Sequence, residues 1–277
     1  MTTNPPMSPL AALPLPMSED FAVALGLKES IFPEARQAQA TMTESERVEL
    51  VYWKLLVRLR MEPLPQQEII FSRLTAFYLL KLLEKWRTLD DPNSIYFLML
   101  PHLSDNIYFQ TFFASGHRAA RNLTLDFAKQ LVKAQWSTRE SYDMIFDACQ
   151  HLSTMLIYED SETVLPPSLT RTLIDKISAW ERVFPSGPDL APLPRAIGLL
   201  KRQVSWVRQG REVRKSMERK LRGCNLRGCE VPYDPAADNL SQCSACKSAR
   251  YCSTQHQRQD WKTHKQLCHR PAWLTDV

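Results

Sequence analysis

From Thr43 onward, apolar positions recur at the spacing of an α-helix. Val48, Val51, Tyr52, Leu55, Leu56 and Leu59 gather on one side of a chain that turns every ~3.6 residues. Thr43 with Glu46 is a capping-box pattern that starts this helix. Pro63 and Pro65 stop it, because proline has no N–H to donate. A second stripe, Ile70, Leu74, Phe77, Tyr78 and Leu82, predicts a helix over 67–86. Pro92 suits the first turn of a short helix that ends near Pro101. The segments 104–113 and 118–133 predict two more helices. Ser137 and Glu140 form another capping box, opening a helix through Ile145, Cys149, Leu152 and Leu156. A helix over 168–183 follows, and one long helix runs from 195 to about 221. No segment alternates convincingly as a strand.

The fold class is therefore mainly α. A helical domain over 43–184 is long enough to bury a core as a multi-helix array or bundle. An armadillo-like or HEAT-like solenoid is one such array, although no repeat period is evident. Residues 1–42 are rich in Pro, Ala, Ser and Thr and read as a mobile tail, within which 21–27 could form a short docking helix. A proline-rich linker (185–194), a basic connecting helix (195–222), a Cys/His-rich segment (223–269) and a short tail (270–277) complete the chain.

Composition narrows the possibilities. Hydrophobic residues make up 44% of the 277 and charged residues 23%, which suits a soluble globular protein. Seven glycines are too few for a turn-rich β architecture, where tight hairpins need positive φ. No apolar run approaches the ~20 residues that a membrane span requires. The amino terminus carries no charge before Glu19 and is broken by Pro5, Pro6, Pro9, Pro14 and Pro16, unlike a secretory or transit signal. The expectation is an intracellular protein, cytoplasmic or nuclear. Six of the seven cysteines fall within 224–268, and in a reducing compartment such clustering reads as metal ligation.

The net charge of +5 is unevenly spread. Between Arg195 and Arg270 there are seventeen Lys/Arg against six Asp/Glu, a formal +11 that leaves −6 for the rest. Such a stretch can face nucleic acid or acidic partners, or can simply be a solvated helix.

Four ligand pairs stand in a row in the Cys/His-rich segment. They are Cys224-x4-Cys229, Cys243-x2-Cys246, Cys252-x3-His256 and His264-x3-Cys268. The x2 spacing is that of a zinc knuckle, where a tight turn aims backbone amides at both sulfurs. The x3 spacing places ligands one helical turn apart, so both can reach one ion. Eight ligands make two closed tetrahedral sites with no open position, which marks structural Zn²⁺. The segment's few large apolar groups, among them Leu226, Val231, Tyr233, Leu240 and Leu267, cannot offset its chain entropy. Structural zinc, at ~10 kcal/mol or more per site, can. Spacing alone leaves open whether the pairs bind consecutively or interleave, and His269 is an alternative ligand.

The run from Tyr251 and Cys252 through His256, Trp261 and His264 to Cys268 resembles the second half of a MYND zinc finger: Tyr-Cys, a helix, then Trp-x2-His-x3-Cys. The resemblance covers about 45 of 277 residues. Two features depart from the family pattern. His256 stands where the family usually has cysteine, and thirteen residues separate Cys229 from Cys243 after an unusually wide first pair. The layout, a helical body followed by a divergent finger, is similar to that of fungal MYND-domain proteins.

The resemblance implies interleaved sites. Cys224, Cys229, Cys252 and His256 would hold one zinc, and Cys243, Cys246, His264 and Cys268 the other. It also implies a module that binds protein partners carrying proline-containing segments of the form Pro-x-Leu-x-Pro. Trp261 and Tyr251 are the candidate partner contacts, although Trp261 could equally pack over the zinc core. The chain holds such a motif itself, Pro188-Asp189-Leu190-Ala191-Pro192, either a self-ligand or a stiff linker. The family's methyltransferases split a β-rich SET domain, which a helical, glycine-poor body does not suit.

Outside the finger, His102, His117 and His151 read as satisfied or surface histidines, Cys149 as a buried thiol, and Asp90-Asp91 as a helix start. No Walker loop, dinucleotide Gly motif or nucleophile elbow is present. These readings converge on a non-enzymatic, zinc-binding intracellular adaptor. A nucleic-acid-associated regulatory protein using the basic helix and finger is the first alternative. A ubiquitin-pathway component is the second, since interleaved zinc sites also occur in RING domains.

Overall fold

A computed structural model describes residues 14–137, 141–159, 163–184, 192–229, 231 and 240–274. The chain opens with α1 (Ser18–Ala24) and α2 (Pro33–Thr41). Next comes one rod made of α3 (Glu44–Val48), a π-helical stretch (Glu49–Leu56) and α4 (Val57–Arg60). The Thr43 capping box forms as expected: its hydroxyl accepts from Glu46 N–H at 3.3 Å, and the Glu46 carboxylate accepts from Thr43 N–H at 2.8 Å. The central helices are α5 (Leu64–Leu89), α6 (Ile95–Leu103), α7 (Ile107–Ala114), α8 (Leu123–Lys133) and α9 (Tyr142–Glu159). Then follow α10 (Pro167–Val183), α11 (Pro192–Leu200) and α12 (Val204–Arg222). The Ser137/Glu140 box lies partly outside the described residues, as does most of the 185–194 linker.

Helix α6 explains how the body closes. Ile95, Tyr96, Phe97, Leu98, Met99 and Leu100 are all buried, so the helix is apolar all round and must be covered on every side. α5, α9 and the rod beginning at α3 provide that cover. Phe97 stacks on Phe127 of α8 with ring centroids 4.5 Å apart. α5 touches α1 at one extreme of the chain and the turn at Ala272–Leu274 at the other. A single-file solenoid, in which each unit meets only its neighbours, would not show that pairing. The expected multi-helix array is thus a closed bundle.

Three expectations need correction. The first is the mobile tail over 1–42; its residues 1–13 lie outside the described part. Beyond them, Phe21 and Leu25 are fully buried, and Tyr96 donates its hydroxyl to the Leu25 carbonyl at 2.8 Å. The short apolar helix within that stretch docks because burying these side chains outweighs the entropy of holding it. The second is the single helix over 195–222. It is two helices, broken at 201–203, where Arg202 takes the left-handed conformation (φ 53°). The break folds Trp206 back onto Gly198, so closely that a Cβ on Gly198 would stand 1.9 Å from the indole. The third is the short tail over 270–277, of which Pro271 and Trp273 are buried.

Candidate metal centre

Helix α12 ends at Gly223 and delivers Cys224 directly. Asn225 ties this first loop to the rest of the finger: its N–H donates to the Arg250 carbonyl and its side chain accepts from Arg250 N–H, both at 2.8 Å. Gly228, at φ 80°, makes the turn that brings Cys229 back beside Cys224. A minimal antiparallel ribbon follows, β1 (Ser241–Gln242) against β2 (Arg250–Tyr251), with Ser241 opposite Tyr251. Its turn is the zinc knuckle. Cys243 N–H donates to Ala249, and Lys247 N–H returns to Cys243 at 3.0 Å with Lys247 at φ 58°. These two-residue strands are the departure from an all-helical reading, and the knuckle spacing was their only trace in the sequence.

The last ligands come from α13 (Thr254–His264). Ser253 caps it, accepting from His256 N–H at 3.2 Å. The helix gives His256 to one site near its start and His264 to the other at its end, so it joins the two centres. The eight residues do interleave. The ligand atoms of Cys224, Cys229, Cys252 and His256 lie within 4.8 Å of one another, and so do those of Cys243, Cys246, His264 and Cys268. His269, the alternative ligand, belongs to neither group.

The spacing of the ligand atoms tests the metal. In a regular tetrahedron with Zn–S of ~2.3 Å and Zn–N of ~2.05 Å, sulfurs sit ~3.8 Å apart and sulfur sits ~3.6 Å from nitrogen. Cys229 to Cys252 and Cys243 to Cys268 are each 3.7 Å, Sγ to Sγ. Cys224 lies 3.6 Å from His256 Nδ1, and Cys246 lies 3.6 Å from His264 Nε2. One edge, Cys252 to His256 at 3.0 Å, is compressed. Three sulfurs and one imidazole per site form a soft, closed donor set for Zn²⁺. Burial, and after it the charge of Cys246 and Cys243, push the Cys268 thiol up to about 12. Cys224 and Cys243 are shifted the other way, hydrogen bonds outweighing burial and lowering both, so it is Cys268 above all that a bound cation would keep as a thiolate.

The two partner candidates fare differently. Trp261 is 48% exposed, its ring 6.0 Å from that of His264. Tyr251 is 1% exposed and donates its hydroxyl to Asp260 at 2.7 Å, so it cannot be a partner contact. Its place at the end of β2 turns the side chain under α13, where it braces the helix. The remaining histidines are structural: His117 accepts Ala119 N–H at 3.1 Å, and His102 lies 3.6 Å from Asp147. His151 was not foreseen in its actual setting. It is wholly buried between Phe109 and Phe127, and neither ring nitrogen has a hydrogen-bond partner among the described residues. Cys149 is buried, and burial pushes its thiol far up.

Sequence reasoning missed how the finger is fastened. Tyr108 on α7 reaches the backbone of Leu267 and His269, and Trp273 packs edge-on against Phe112 and Tyr108. The Pro271-Ala272-Trp273-Leu274 run just past the last ligand was the available signal.

Comparison with known proteins agrees with this geometry. Residues 224–268 match the family model described as the MYND finger, and the carboxy-terminal segment is a MYND-type, two-zinc finger. The chain is 58% identical over 31 residues to Egl nine homolog 1 of Homo sapiens, a stretch that is 11% of this chain and 7% of that protein. Against Egl nine homolog 1 of Mus musculus it is 55% identical over 31 residues, 11% of this chain and 8% of that one. The match therefore spans less than a tenth of either relative's length. No solved structure matches the chain.

Proposed function

We propose that this protein is a non-enzymatic intracellular adaptor whose finger captures protein partners through short proline-containing segments. The carrying observation is Trp261, a half-exposed indole on α13 whose ring lies 6.0 Å from that of the ligand His264. Flat aromatic surface on a fixed element suits an extended proline-rich peptide, which loses little entropy on binding. Both sites are filled by four protein ligands, leaving no position for a reactive water, so the metal serves architecture. Six cysteines used as metal ligands fit a reducing compartment, where thiols are kept available for a metal.

The test uses full-length, zinc-loaded protein and an immobilised Pro-x-Leu-x-Pro peptide. Trp261→Ala should bind at least about tenfold more weakly while keeping its zinc. Equal binding by Trp261→Ala, or by a peptide with its leucine changed to glutamate, would defeat the reading.

One feature favours a second reading, association with nucleic acid. Helix α12 buries only Gly210 and carries seven Lys/Arg against two Asp/Glu. Binding to generic duplex that weakens steeply with salt would support it. Peptide capture that is indifferent to salt would favour the adaptor.

A further inference from the structure

A cleft of about 630 Å³ opens between the turn after α1, helices α2 and α3 and the second half of α5; no finger residue lines it. Lys28, Arg36, Arg47, Lys81 and Lys85 face it from four parts of the chain, against one carboxylate, Glu29. The two guanidiniums are anchored to the backbone and each is paired with a carboxylate, Arg36 with Glu29 at 3.7 Å and Arg47 with Glu44 at 3.8 Å, so the unpaired charge of the cleft is that of its lysines. Arg47 Nη1 donates to the Ala24 carbonyl at 2.7 Å, and Arg36 reaches the Ser30 carbonyl at 3.1 Å. Gly26, at φ +66°, makes room for this arrangement: a Cβ there would stand 3.3 Å from Arg47 Nη1.

The three lysines are different. Lys81 Nζ lies 3.4 Å from the Leu27 carbonyl, and Lys85 sits over the Tyr96 ring at 5.8 Å. No ion pair engages Lys28, Lys81 or Lys85 among the described residues. Like charges converging on one concavity repel one another, and a multivalent anion relieves that repulsion. The depression is open to solvent, so a charged group can enter it while its oxygens stay hydrated.

We infer that this cleft binds a small ligand carrying two or more clustered phosphate groups. Lys28, Lys81 and Lys85 supply point charges to the phosphate oxygens, and Arg36 and Arg47 form the backbone-anchored wall. Such groups come either free in solution or on a lipid headgroup. The turn between Glu29 and Arg36 exposes Ile31 (76%) and Phe32 (66%), side chains that a bilayer surface would cover.

The experiment titrates full-length zinc-loaded protein with inorganic triphosphate by calorimetry at ~0.15 M ionic strength. A second arm measures capture by phosphatidylcholine vesicles with and without a phosphoinositide bisphosphate. Saturable triphosphate binding that is at least about tenfold weaker in K81E/K85E supports the site. The K215E/K220E pair on α12 should bind as the native chain does. Vesicle capture that needs the phosphorylated headgroup, and is lost in Phe32→Ser, assigns the lipid source. Triphosphate binding without vesicle capture assigns the free one. Absence of binding in both arms, native-like binding by K81E/K85E, or equal loss in K215E/K220E overturns the inference. All four exchanged lysines are exposed, and unchanged circular dichroism checks that the variants fold.

Discussion

The phenolic oxygen of Tyr108, on α7 of the helical body, accepts the backbone N–H of His269 at 2.7 Å, one residue past the zinc ligand Cys268. Its own proton points to the Leu267 carbonyl at 2.5 Å, with the His269 carbonyl at 3.0 Å. One side chain thus bridges the body to the backbone on both sides of a metal ligand. The finger is a docked part of the molecule, not a bead on a string.

Tyr108→Phe should cost ~1–3 kcal/mol, because it leaves a half-buried N–H and carbonyl without their partner. Trp273→Ala should cost more, ~3–5 kcal/mol, by emptying a buried site between Phe112 and Tyr108. Urea unfolding of each variant measures both. Equal stability in Tyr108→Phe would mean that the docking is carried by Trp273 alone.

Zinc content should be two per chain. His256→Cys should keep both ions, since a thiolate replaces an imidazole in the same tetrahedral position. Cys246→Ala should lose the buried centre and its ion. Chelation should unfold the finger while most of the far-ultraviolet helical signal remains, because the body has its own core. Metal analysis with circular dichroism on the same samples tests all three outcomes.

Gly198→Ala should destabilise the protein by ~1–3 kcal/mol or more, because the added methyl meets the Trp206 indole. Pairing it with Trp206→Ala should restore part of the loss. Thermal melts of the two single variants and the double variant show whether the terms couple.

Stability should fall as pH drops below ~6.5. Burial first, and for His102 the Arg60 charge second, push the His151 and His102 imidazoles down to about 3 from 6.5. Between those values the unfolded chain takes up protons that the folded one refuses, which favours unfolding. Each histidine contributes a slope of up to ~1.4 kcal/mol per pH unit in that window. His151→Phe should flatten the dependence relative to the native chain, as read from urea midpoints between pH 7 and pH 5. An unchanged slope would show that another group governs it.

The helices from 43 to 183 were readable because a helix side that must be buried imprints its period on local sequence. Ile70, Leu74 and Leu82 announce α5, and Thr43 with Glu46 announces the start of α3. The break at 201–203 was not readable. It arises where Trp206 finds Gly198, while the local residues are ordinary helix formers. Tyr251 was misjudged for a related reason: a tyrosine beside a ligand carries no sign of which side of a two-residue strand it occupies.

By itself, the order of cysteines and histidines settled the chemistry of the finger, because ligand type and count dictate a closed tetrahedral zinc site wherever the chain folds. It also settled the helical class of the body, through periodicity. Which ligands share an ion, whether Trp261 or Tyr251 meets solvent, and where five cations converge were decided only in three dimensions. So was the use of Tyr108 to fasten His269, across 161 residues of chain. Such contacts join positions remote in sequence, and their free energy depends on burial and on distances that no local pattern encodes.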